Sequence, residues 1–327
     1  MLNFRNVCFT VLLTLFLCSP LRAADAVKMD LNAVYGSGSF HTQGASDFAK
    51  LAEKYSGGSV LITVHPGGAL GFKGPELLKV VKDGQVPMSD ILMGVVAGSE
   101  HVFGISSLPR LVMNYEDARK LYDMSRPLYD KAAAKWNQKL LYAVPWPPSG
   151  LVTQKEVKSI ADIKGIKTRT YDKNGAEFLK ALGGAPVSLP WGEVYSSLRT
   201  GMIDSVLTSA ESANNGKFWE VLGFFKKINY AYPLNMVTVN LDYWNALSRE
   251  QQDALLRAAK ETEENQWNNS SARNDESLGA IAENKIQVSE ESPELAAEMN
   301  KAAKQIVDEF KKDAKEDVKK ILETFMK

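Results

Sequence analysis

An arginine inside a strand is the residue of this chain best placed to do chemistry. Arg169 lies in Ile166-Lys167-Thr168-Arg169-Thr170-Tyr171, which reads as a buried β-segment. A guanidinium there cannot lose its proton, so it requires an anionic partner. Two partners are open: a carboxylate of the protein, giving an internal Arg–Asp or Arg–Glu pair, or the carboxylate of a captured solute. Aromatic residues stand where a pocket would form. Trp191 occupies a strand-to-helix turn after Pro190, Trp146 lies beside Pro147-Pro148, and Tyr171 falls just past the arginine. Ligands of open α/β sheets bind outside the carboxyl ends of the strands, which suits all three. An indole there can cover an apolar body and donate one hydrogen bond, or it can serve only as hinge or core packing.

Other chemistries lack their residues. The three histidines, His41, His65 and His101, are far apart and form no closely spaced ligand set. No GxSxG, Walker loop or GxGxxG after a strand is present. Both cysteines, Cys8 and Cys18, lie in the N-terminal segment, so thiol chemistry is not expected of the rest. Nothing points to a metal or another cofactor.

The elements that must position these residues follow from periodicity. Val27 to Tyr35 alternates as a strand, and Phe40 to Tyr55 carries Phe48, Leu51, Ala52 and Tyr55 on one helical face. Ser59–His65 and Ser89–Met93 read as further strands around a short helix opened by Gly74-Pro75-Glu76; that order suggests a parallel sheet. A helix over Tyr115–Trp136 and a strand over Lys139–Trp146 lead into Pro147-Pro148-Ser149-Gly150, which reads as a lobe boundary. Beyond it come strands at 150–154, around Arg169, at 185–189 and 205–208, with helices at 174–182, 191–200 and 212–222. Met236–Asn240 alternates again and returns to the first lobe. Ser248-Arg249-Glu250-Gln251 is a capping box opening a long polar helix to about Glu283, and Glu294–Met326 is a second helical region with a solvated Lys/Glu face.

Met1–Ala23 has one positive charge, Arg5, an apolar run from Val7 to Cys18, and small residues after Pro20; it reads as a cleavable secretory signal peptide. That run is too short to span a bilayer as a helix. The remaining roughly 300 residues are enough for two lobes that fold on hydrophobic cores without disulfides. The 39 basic and 39 acidic residues balance, no basic block appears, and nucleic-acid binding has no support.

Several segments resemble the extracytoplasmic solute receptors of tripartite ATP-independent periplasmic (TRAP) transporters, the DctP-like family. They are His65–Gln85 (HPGGALGFKGPELLKVVKDGQ), Leu108-Pro109, Ile160–Asp172 (IADIKGIKTRTYD), Gly183–Ser205 (GGAPVSLPWGEVYSSLRTGMIDS) and the helix after Ser248; Pro145–Leu151 is similar to one subgroup. The resemblance implies an α/β fold of two lobes, like a type II periplasmic binding protein, with a β-strand hinge and a long helix spanning both. It implies lobe I over 24–147 plus about 236–276, and lobe II over 148–235 plus about 277–327. It further implies a periplasmic monomer that closes on a small organic acid and hands it to a membrane permease, with no catalysis. Arg169 matches the family's carboxylate-binding arginine and Trp191 its ligand-covering aromatic. Thr208 and Asn235 fall near polar positions of the family. Trp146, Tyr171, Phe40 and Met93 complete the candidate pocket. Many members carry a second arginine where this chain has Ser149-Gly150-Leu151, without charge. A second carboxylate buried without a cation is costly, so the expected ligand is a monocarboxylate with an apolar or aromatic body. The alternatives are a C4-dicarboxylate receptor or a ligand-sensing module for a signalling receptor.

Overall fold

The computed structural model describes residues 26–327; the expected leader over 1–23 lies outside the described residues. In chain order the first elements are β1 (Val27–Ala33), α1 (Phe40–Tyr55), β2 (Val60–His65), α2 (Leu77–Lys82), β3 (Met88–Leu92), α3 (Tyr115–Lys135) and β4 (Gln138–Pro145). The middle of the chain forms β5 (Ser149–Thr153), β6 (Lys167–Thr170), α4 (Lys173–Ala181), β7 (Ala185–Ser188), α5 (Val194–Arg199), β8 (Ser205–Ser209), α6 (Ala210–Asn215) and β9 (Phe224–Lys227). The last third gives β10 (Leu234–Asn240), α7 (Leu241–Asn245), α8 (Arg249–Glu283), β11 (Gln287–Glu290), α9 (Pro293–Asp313) and α10 (Glu316–Phe325).

These strands build two sheets, ordered β2-β1-β3-β10-β4 and β11-β9-β5-β8-β6-β7. The first is parallel across β1, β2 and β3, as the strand–helix–strand order requires, but mixed as a whole. β10 returns from the second half and inserts antiparallel between β3 and β4. Two strands therefore cross between the halves, β4 into β5 and β9 into β10, and both crossings lie beside the candidate residues. Backbone bonds tie them together, Trp146 N to Pro233 O at 2.8 Å and Ser149 N to Ala231 O at 3.0 Å.

α8 links the halves on the other side. Its capping box is formed: Gln251 N donates to Ser248 Oγ at 3.3 Å, and Ser248 N donates to Gln251 Oε1 at 3.0 Å. Thirty-five residues at about 1.5 Å each carry it roughly 50 Å. It packs on α1 and β4 of one half and on α6 of the other. Small buried residues, Ala254, Ala258, Ala259, Ser270 and Ser277, allow that close approach. Trp267 Nε1 and Ser270 Oγ donate to the carbonyls of Ala143 and Pro145 at the end of β4.

Several expectations are corrected. The helix expected over 212–222 stops at Asn215, because Lys217 takes a left-handed φ of 51° and a 3-10 turn over Phe218–Glu220 follows. Trp191–Glu193 is a 3-10 turn ahead of α5 rather than its first α-turn. The C-terminal helical region breaks at Ala314-Lys315, which are extended. Its parts divide between the halves: Leu295 to Ile306 join the core of the second sheet, whereas Val307, Phe310, Val318 and Leu322 pack into the core of the first. The tail does not lie wholly with the second half. β3 ends at Leu92, leaving Met93 in a 3-10 turn.

Candidate functional site

The carboxyl ends of β1, β3, β4, β6, β7 and β8 converge on one small cavity, together with the amino ends of the antiparallel β5 and β10. The cavity itself measures only about 30 Å³, far below the roughly 300–1,000 Å³ of small-molecule pockets, so its walls stand nearly closed on one another. A larger open groove lies at the opposite strand ends, lined by residues such as Thr153, Val157 and Asp204. It contains no buried charge comparable to Arg169.

Arg169 forms one wall and is only 5 % exposed. Its Nε and Nη2 both donate to Leu189 O at 3.1 Å. No carboxylate among the described residues comes within ion-pair distance, so the internal Arg–Asp or Arg–Glu pair is not formed. Asp172 is diverted to cap α4, accepting from Gly175 N at 2.8 Å. Nη1 has no acceptor among the described residues. Burial without an anion holds the guanidinium down from 12.5 to about 10, only partly offset by Tyr35, Tyr171 and Asp172.

Aromatic rings close the remainder. Tyr35 stands between both indoles, its ring centroid 4.8 Å from Trp146 and 6.0 Å from Trp191, edge-on to each. The Arg169 Cζ lies 5.9 Å from the Trp191 ring. Ser149 Oγ and Tyr171 OH are 3.3 Å apart at the cavity edge, and Thr208 faces it from β8. The Trp146 N–H is already used, donating to Asn235 Oδ1 at 2.7 Å, so that indole offers its ring alone.

Residues 31–313 match the family described as bacterial extracellular solute-binding protein, family 7 (DctP). The chain belongs to this family. Its members are solute-binding receptors, not enzymes. A Bordetella pertussis receptor, DctP7, described as binding pyroglutamic acid, is 27% identical with a TM-score of 0.90, covering 92% of this chain and 100% of that one. A marine metagenome TRAP solute-binding protein described as specific for pyroglutamate is 30% identical with a TM-score of 0.89, covering 93% and 99%. The 2,3-diketo-L-gulonate-binding periplasmic protein of Escherichia coli K12 is 29% identical over 66% of this chain and 67% of its own. The α/β two-sheet fold with its long α8 is the fold of these receptors.

Of the candidates named from sequence, Arg169, Trp191, Trp146, Thr208 and Tyr171 line this receptor's cavity. Three do not. Asn235 lies behind Trp146, its Nδ2 donating to Asp90 Oδ1 at 2.8 Å. Phe40 is buried against His41, and only its backbone N–H reaches across the halves, donating to Glu211 Oε1 at 2.8 Å. Met93 is sealed in the first core. Tyr35 was missed, although an aromatic ending a strand before Gly36-Ser37-Gly38 is the available signal. The uncharged place at 149–151 also has a steric cause. A Cβ on Gly150 would sit 2.6 Å from Lys226 O and from the Phe225 ring, so no side chain fits, while Ser149 faces the cavity. Burial raises two neighbouring carboxyls, Asp90 and Glu211, each to about 7. Among the described residues no cluster of three or more metal-binding side chains occurs.

Proposed function

We propose that this chain is the exported, periplasmic receptor of a TRAP transporter, that it captures a compact monocarboxylic acid between two closing lobes, and that it delivers the acid to membrane permease subunits. Pyroglutamate is the first candidate ligand. The observation carrying this reading is the buried Arg169 without a carboxylate partner, with Nη1 free beside a small aromatic cavity. Leu189 O occupies the Nε/Nη2 edge, which leaves the Nη1/Nη2 edge for a two-point carboxylate contact, the geometry a guanidinium suits best.

A single cation argues for a single carboxylate. A second one would be buried against Trp146, Trp191 and Tyr35 without compensation, at a cost of several kcal/mol. Two similar receptors are described as pyroglutamate-binding, and a lactam ring carries one carboxylate plus one donor and one acceptor. Tyr35, Thr208 and Trp191 line the cavity, and their hydroxyls and indole N–H are the groups to meet that donor and acceptor. A thermal-shift screen over mono- and dicarboxylates tests the reading. Pyroglutamate should stabilise the protein most; succinate or malate giving the larger shift would overturn the monocarboxylate assignment.

A further inference from the structure

We infer that Asn235 and Asp90, neither of which lines the cavity, act on ligand binding through Trp146 as positioning residues. The inference rests on Trp146 walling the ligand site. β10 sets the geometry: Asn235 pairs with Leu92 on β3 and Val144 on β4, and Val237 pairs with Asp90. Asn235 therefore emerges beside both Asp90, two residues back along β3, and Trp146, two residues on from Val144. One amide spans the two. Its Nδ2 donates to Asp90 Oδ1 at 2.8 Å, and its Oδ1 accepts from Trp146 Nε1 at 2.7 Å.

Each residue type in this line is constrained. An amide of this length donates on one side and accepts on the other; a carboxylate would bring a second acidic group against Asp90, and an alkyl chain would leave the indole N–H unpaired. Because Asp90 fixes which way the amide points, it also fixes what the indole sees. Asn235 is 1 % exposed, Asp90 2 % and Trp146 5 %, so water does not substitute for a lost partner. The indole is held on its faces as well, 4.2 Å from the His41 ring and 4.8 Å from Tyr35. Its plane relative to the Arg169 guanidinium is thus determined by a hydrogen-bonded line that starts in the first sheet. The charge of Asp90 is not required. Its Oδ2 has no hydrogen-bond partner among the described residues, and the buried Tyr35 and Tyr142 hydroxyls lie within reach of its charge. An asparagine at 90 can accept the same bond.

A double-mutant cycle read by calorimetric titration of pyroglutamate tests the inference on the mature chain. Asn235→Leu should raise Kd about tenfold or more, yet raise it less than twofold when Trp146 is already Phe. An equal factor in both backgrounds would overturn the inference, because Asn235 would then act independently of the indole. Asp90→Leu should behave like Asn235→Leu, while Asp90→Asn should stay within about twofold of wild type; the two Asp90 variants behaving alike would also overturn it. A ligand-free reading separates this inference from the identity of the ligand. The Trp146 indole N–H resonance in ¹⁵N-tryptophan-labelled protein should move upfield in Asn235→Leu and Asp90→Leu but not in Asp90→Asn. An unmoved resonance contradicts the line whatever the ligand proves to be, whereas pyroglutamate failing to bind wild type contradicts the ligand reading alone.

Discussion

Replacing Arg169 by Met should separate what the guanidinium does for the fold from what it does for the ligand. In the unliganded protein burial holds this group down from 12.5 to about 10. At about 1.4 kcal/mol per tenfold change, that desolvation corresponds to roughly 3 kcal/mol. Methionine removes this cost but deprives Leu189 O of its two N–H donors, and an unpaired buried carbonyl costs about 1–3 kcal/mol. The two nearly cancel, so the unliganded variant should unfold within about 2 kcal/mol of wild type. Binding should behave differently. Truncating one partner of a buried charge pair costs about 2–5 kcal/mol, or at least a 30-fold rise in Kd. At 100 times the wild-type Kd, ligand stabilises wild type by about 2.7 kcal/mol; a variant weakened 100-fold would gain only about 0.4 kcal/mol under the same conditions. Thermal unfolding with and without ligand reads both quantities. A variant that melts normally and keeps the full ligand shift would refute the carboxylate clamp. One that fails to fold would show Arg169 to be structural.

Other outcomes follow from the same geometry. Gly150→Arg should not create a second carboxylate anchor; its Cβ meets Lys226 O at 2.6 Å, so a melt should show destabilisation of about 1–3 kcal/mol or more. Asp90, Asp172 and Glu211 are raised by burial to about 7, 6 and 7. The folded state therefore holds protons that the unfolded chain releases near pH 4, and stability should fall as pH rises from about 4 to about 7. A pH series of unliganded melts checks the sign, and Glu211→Gln should flatten it. Tyr35→Phe should leave unliganded stability within about 0.5 kcal/mol, because the hydroxyl has no hydrogen-bond partner among the described residues, whereas Tyr35→Ala should cost about 3–5 kcal/mol through lost ring packing.

Much of the architecture was readable because local signals agreed with the fold. The Phe40–Tyr55 helix, the capping box at Ser248 and the alternation of β10 each carry period or cap chemistry that tertiary packing then used. The short strands at one side of the second sheet were not: Phe-Phe-Lys-Lys in β9 and Gln-Val-Ser-Glu in β11 hold too few residues to show a period. The break after α6 falls at Asn214-Asn215-Gly216-Lys217, short of the apolar Phe218-Trp219 that made the helix seem to continue. Within the site, Arg169 stood out because a strand cation demands an anion wherever the strand lies. Asn235 illustrates the limit. A polar residue at a strand end satisfies the same pattern whether it faces a ligand or a neighbouring indole, and only the register of β10 between β3 and β4 decides. Phe40 and Met93 fail for a related reason, since closeness to a strand end or helix start does not say which side of the wall a side chain takes.

Calorimetric titration of wild-type protein with pyroglutamate and with its carboxamide tests the central claim most directly, because the two differ only in the group assigned to Arg169. The acid should bind and the carboxamide should bind at least about 30-fold more weakly, the loss of one buried charge-assisted contact of 2 kcal/mol or more. Equal affinities for acid and carboxamide would contradict the account.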